Sequence, residues 1–75
     1  MVKNRSAEVA FNKKEINPDL LYIENKDNKY YILVIGKTPR GKYPQGFRVT
    51  YSMTKEQAKK IVREYTEEYF QNNNK

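Results

Sequence analysis

The chain has 75 residues, no Cys, no His and a formal net charge of +6. That length fits one small domain near the lower limit for a self-sufficient core, and the missing thiols and imidazoles exclude disulfides, Cys or His metal sites and histidine-activated nucleophiles. No set of Lys, Tyr or carboxylate residues has a spacing that asks for catalysis, so a non-enzymatic chain with no cofactor and no metal is expected.

Residues 1–5 read as a loose, charged terminus that leads into no apolar signal core. In Ala7–Asn12 the apolar Ala7, Val9 and Phe11 alternate with Glu8, Ala10 and Asn12, which reads as a short strand. Ser6 as an N-cap would equally permit one or two helical turns. Residues 13–19 form a connector, because Asn17 precedes Pro18 and is pushed out of the α region. Leu20–Glu24 is the next strand. Asn25, Lys26, Asp27 and Asn28 follow, and their polar side chains tolerate the positive φ of tight turns, so this strand pairs antiparallel with the next.

Tyr30, Tyr31, Ile32, Leu33, Val34 and Ile35 form the longest apolar run, bounded by turn signals and by Gly36. β-Branched and aromatic side chains on both alternating sets mark it as the central strand, covered on two faces. Residues 37–46 contain two of the three Pro and two of the three Gly residues. That density predicts a loop of ten residues, wholly basic through Lys37, Arg40 and Lys42. Phe47, Val49 and Tyr51 then alternate with Arg48, Thr50 and Ser52, a strand with the first set inward and Arg48 exposed. Thr54, Lys55, Glu56 and Gln57 form a capping-box pattern. Behind it Ala58, Ile61, Val62, Tyr65 and Tyr69 make one apolar helical stripe. Residues 71–75 read as a disordered polar tail.

Between Lys37 and Arg63 lie eight basic residues and one acid, Glu56, whereas the rest of the chain has seven basic and eight acidic residues. All of the positive excess therefore falls in one stretch, the pattern of a patch that meets an anionic partner. Lys55, Lys59, Lys60 and Arg63 also sit in the first half of the helix, against its dipole.

The expected fold is α+β, a single domain with a small antiparallel sheet of three strands, or four with Ala7–Asn12, packed on one C-terminal helix. In its order of parts it resembles the N-terminal, arm-type DNA-binding domain of phage and transposon tyrosine recombinases. The resemblance is carried by Lys29, Tyr30, Tyr31 and Ile32, by Arg40, Gly41 and Lys42, by Gly46 and Phe47, and by Thr54, Lys55, Glu56, Gln57 and Ala58. It implies a sheet that enters the DNA major groove with a helix behind. No recombinase catalytic region accompanies these motifs, so the expectation is a free-standing module from a phage or mobile element.

On this reading the partner is nucleic acid, duplex DNA first, and the site comprises Lys37, Arg40, Lys42, Tyr43, Arg48, Thr50, Lys55 and Lys59. The lysines and arginines meet phosphates, Tyr43 stacks, and Arg48 is the residue placed to reach a base edge. Single strands would instead need aromatics on the open face, a role open to Tyr30 or Tyr31. The alternative is a protein-interaction module, such as an inhibitor of a host or defence protein, acting through an apolar and Tyr-rich sheet face. A homodimer paired through that face or an edge is a third reading. No apolar run approaches the ~20 residues of a membrane span, and a cytoplasmic protein with no membrane partner is expected.

Overall fold

A computed structural model of the chain describes residues 6–73, with side chains over residues 7–72. The terminus expected to be loose, residues 1–5, lies outside them. The described elements are α1 (Ser6–Asn12), a 3-10 turn (Pro18–Leu20), β1 (Leu21–Lys26), β2 (Lys29–Thr38), β3 (Gly41–Arg48) and α2 (Lys55–Asn73). The strands form an antiparallel meander in the order β1-β2-β3. The protein is thus α+β, a three-stranded sheet with a long C-terminal helix.

The first hairpin closes as its sequence requires. Lys26 pairs with Lys29 and leaves a turn of Asp27 and Asn28, whose φ values of 55° and 66° are those of the turn type that matches strand twist. The second hairpin corrects the sequence reading, because residues 37–46 are not a loop. Lys37 pairs with Lys42 and Thr38 with Gly41, so only Pro39 and Arg40 turn. The buried Thr38 hydroxyl clamps this turn, donating to the Gly41 carbonyl (3.1 Å) and accepting from the Arg40 N–H (3.2 Å). Pro39 supplies a fixed φ to the turn. Pro44 lies in edge strand β3 beside the register shift opposite Val34 and Gly36, where a missing N–H is tolerated.

Gly36 is required by its backbone, since φ 125° is strained for any residue with a Cβ; a Cβ there would also push on the end of the Leu20 side chain, 2.9 Å away.

Regular pairing ends at Arg48. Val49 N–H still donates to the Ile32 carbonyl (2.8 Å), but the Ile32 N–H goes to the Thr50 hydroxyl at 3.0 Å. The chain rejoins β2 at Met53, which exchanges two backbone bonds with Tyr30 (2.9 and 3.0 Å). A side chain has replaced a ladder carbonyl, so the inward-outward alternation lapses. Tyr51, expected inward, is 83% exposed.

One open alternative is decided, in favour of helical turns at the N-terminal segment, and one expectation changes at the C-terminus. Residues Ser6–Asn12 are a helix, so no fourth strand exists among the described residues. Ala7, Ala10 and Phe11, at i, i+3 and i+4, bury its inner face. Its end is closed by Lys14 at φ 61° and by the Glu15 N–H on the Ala10 carbonyl at 2.8 Å. At the other end, Gln71 and Asn72 continue α2 instead of forming a tail.

The capping box forms in both directions, Gln57 N–H to Thr54 Oγ1 at 3.2 Å and Thr54 N–H to Gln57 Oε1 at 3.3 Å. The expected stripe faces the sheet, with Ala58 and Tyr65 buried and Ile61, Val62 and Tyr69 packed around them. Both helices lie on one face of the sheet, where Ala7, Ala10, Phe11, Ile16, Ala58 and Tyr65 enclose Ile32, Val34 and Val49. Tyr65 joins the layers. Its ring stacks on Phe11 (4.8 Å between centroids, 1° between planes). Its hydroxyl donates to the Ile16 carbonyl (2.6 Å) and accepts the Ile16 N–H (2.9 Å). Burial pushes that hydroxyl up to about 12.

Candidate nucleic-acid interface

Side chains directly opposite each other in an antiparallel pair share a face, so the register divides the sheet in two. Tyr30, Ile32, Val34, Thr38, Tyr43, Phe47 and Val49 point to the helices, with Leu21 opposite Val34. Tyr31, Leu33, Ile35 and Lys37 of β2 point away. Opposite them on β1 stand Glu24 facing Tyr31 and Tyr22 facing Leu33. On β3 Arg48 faces Leu33 and Lys42 faces Lys37. Gly46 lies under the side chains of Ile35 and Leu33, 3.4 and 3.5 Å from where a Cβ would be. Both described helices pack on the inner face, so no described element covers this outer face. The central strand was expected to be covered on both sides; among the described residues it is covered on one.

The middle of the outer face holds a linked group. Arg48 Nε lies 2.6 Å from Glu24 Oε1, and the Arg48 guanidinium carbon sits 4.2 Å from the centre of the Tyr31 ring. The hydrogen bond from Arg48 holds the Glu24 carboxyl below its ordinary value, and Glu24 in turn raises Arg48. Around this group are Leu33, Ile35 and Tyr22, the last 48% exposed.

The two ends of the face are basic. Lys26 stands opposite Lys29 at one hairpin, and Lys37 opposite Lys42 at the other. None of the four is ion-paired among the described residues. Like charges directly opposite each other across strands are destabilising, and here the arrangement occurs twice on one face. Among the described residues five cations and one carboxylate share the surface, and that carboxylate is matched by Arg48.

The eight residues singled out in the sequence do not form one site. Lys37, Lys42 and Arg48 share the outer face. Arg40, in the turn, is paired with Glu15 at 3.4 Å. Tyr43 is half-buried on the inner face, 5.5 Å from the Phe47 ring, and Thr50 uses its hydroxyl on the Ile32 N–H. Lys55 and Lys59 are exposed on α2 in the helix layer, across the sheet from Lys37 and Lys42. Lys55, Lys59 and Arg63 follow one another at i+4 intervals and form a separate basic strip.

Tyr22, Lys26 and Lys29 share the outer face and are not among those eight. The signal was present, since a two-residue turn at Asp27 and Asn28 fixes by parity that residues 22, 24 and 26 lie beside 33, 31 and 29.

Among the described residues no group of three or more acidic side chains could hold a metal, and no helix is long and apolar enough to cross a membrane. A shallow hollow of about 240 Å³ between α1 and α2 is lined by Phe11, Tyr65 and the Lys14–Glu68 ion pair (3.4 Å). Comparison of the chain with family models, with curated proteins and with solved structures returns no match.

Proposed function

We propose that the chain is a small nucleic-acid-binding module that lays the outer face of its sheet on the ligand. The observation that carries this reading is the pair of opposed lysines at each end of that face. Two like-charged cross-strand pairs are a cost to folding, and an anionic backbone crossing both ends would turn that cost into binding energy through counterion release. The ordering of a three-stranded sheet before a long helix, as in arm-type recombinase domains, supports the same face. The apolar centre of Tyr22, Leu33 and Ile35 also fits a protein partner, the second reading.

Salt separates the two. On a labelled oligonucleotide, Lys37→Gln and Lys42→Gln should each lower the log-log salt slope of binding by about 1. Lys55→Gln and Lys59→Gln, across the sheet, should leave the slope unchanged. Absence of any salt-sensitive nucleic-acid binding rejects this function and leaves the protein-partner reading.

A further inference from the structure

The geometry points to single-stranded nucleic acid as the occupant of the outer face, with bases stacked on Tyr22 and on the Arg48–Tyr31 pair while the four lysines hold the phosphates. This rests on the nucleic-acid reading above and goes further by choosing between strand types.

Reading a duplex requires side-chain donors and acceptors aimed at base edges. The centre of this face supplies few. Leu33, Ile35 and Gly46 have none, and the Arg48 side chain is held by Glu24 through its Nε at 2.6 Å and lies over Tyr31, which leaves only its Nη groups for a base edge. What the face does supply is flat and apolar surface, and that is useful to unstacked bases, because every base has a π-face. Tyr22 is about half exposed, 48%. The Arg48 guanidinium lies over Tyr31 at 4.2 Å, and guanidinium planes serve as stacking platforms as aromatic rings do.

The charge placement agrees. Lys29 and Lys37 are eight residues apart on β2, about 26 Å in an extended strand. A chain running along β2 therefore passes from one lysine pair to the other over the platforms between. The exposed carboxylate on this path, Glu24, is neutralised in place by Arg48.

The test compares a fluorescein-labelled oligothymidylate of about 12 nucleotides, within typical single-strand site sizes of about 4–16, with a duplex of the same length at equal salt. The single strand should bind about 10-fold tighter or more. Tyr22→Leu should weaken single-strand binding about 10-fold, the order expected for one lost stack, while Tyr22→Phe keeps it. Arg48→Lys, which keeps the charge and removes the plane, should also weaken the single strand without changing its salt slope.

Tyr22→Trp gives a chain that has no Trp a single indole, whose emission should be quenched by oligothymidylate. This reads stacking directly even if another variant folds poorly. A duplex bound as tightly as the single strand, or an unquenched indole with oligothymidylate bound, overturns the inference and leaves the nucleic-acid reading standing. If neither probe binds in a salt-sensitive way, both fall.

Discussion

The two faces of the sheet come from the same three strands and obey opposite rules. On the inner face side chains are closely packed, and no buried side-chain polar atom among the described residues lacks a partner. Ile32 and Val34 are fully buried there. On the outer face the same strand presents Tyr31, Leu33 and Ile35 half-buried under no other described element, with lysine set opposite lysine at both ends. The inner face is explained by folding. The outer face carries features that the packing of the described residues does not explain, and the proposed binding role rests on them.

The inner face should show the largest effects. Tyr65→Ala removes a stacked ring and both hydrogen bonds to Ile16, and should cost about 3–5 kcal/mol in denaturant unfolding. An unchanged midpoint would remove Tyr65 from its place between the layers. Tyr65→Phe keeps the stack on Phe11 but strands the Ile16 N–H and carbonyl, at a cost of about 1–3 kcal/mol.

The Tyr65 hydroxyl also gives a pH signature. Its value is pushed up to about 12, against about 10 for an unfolded tyrosine. The hydroxyl's contribution is therefore complete below about pH 10 and lost as pH rises through about 12. The stability gap between wild type and Tyr65→Phe should shrink over that window. A gap that is constant from neutral pH through about 12 would show that the hydroxyl is not held by burial.

Outer-face changes should be small in stability and of the opposite sign. Lys37→Gln relieves its opposition to Lys42 and should raise stability by a few tenths of a kcal/mol while weakening nucleic-acid binding. Loss of stability together with binding would place Lys37 in the fold instead. The smallest effect is expected at the C-terminus, where deleting residues after Gln71 should change the unfolding free energy by less than about 0.5 kcal/mol.

Much of the inner layer was legible in the sequence. The capping box at Thr54 and the stripe from Ala58 to Tyr69 are local patterns, and no tertiary contact is needed to read them. The second hairpin was not legible, because Pro39 and Pro44 look like breaks in regular structure. Pro39 turns out to be a turn residue, and Pro44 sits on an edge strand beside a register shift, where its missing N–H does little harm. Tyr51 was misread because the Thr50 hydroxyl takes a bond that a backbone carbonyl would have taken. In α1 the i, i+3, i+4 spacing of Ala7, Ala10 and Phe11 was present, but it competes with alternation over so short a segment. On the outer face, residue type and charge alone single out Lys37, Lys42 and Arg48. The strand register, which the two-residue turn at Asp27 and Asn28 fixes by parity for β1 and β2, adds Tyr22, Lys26 and Lys29 to that face, while the helix layer carries Lys55 and Lys59 on the other side of the sheet.

The bonds between Tyr65 and Ile16 join positions 49 apart in sequence, whereas both hairpins close through two-residue turns. Local closures are fast and distant ones slow, because a long loop must lose its entropy before the contact repays it. The meander should therefore assemble early, with α1 and its connector docking against α2 late, after the main barrier. In stopped-flow experiments, variants at Tyr65 that lose the Ile16 bonds should unfold faster while folding at nearly the wild-type rate. The N-terminal segment would then govern how long the native state lasts more than how quickly it forms.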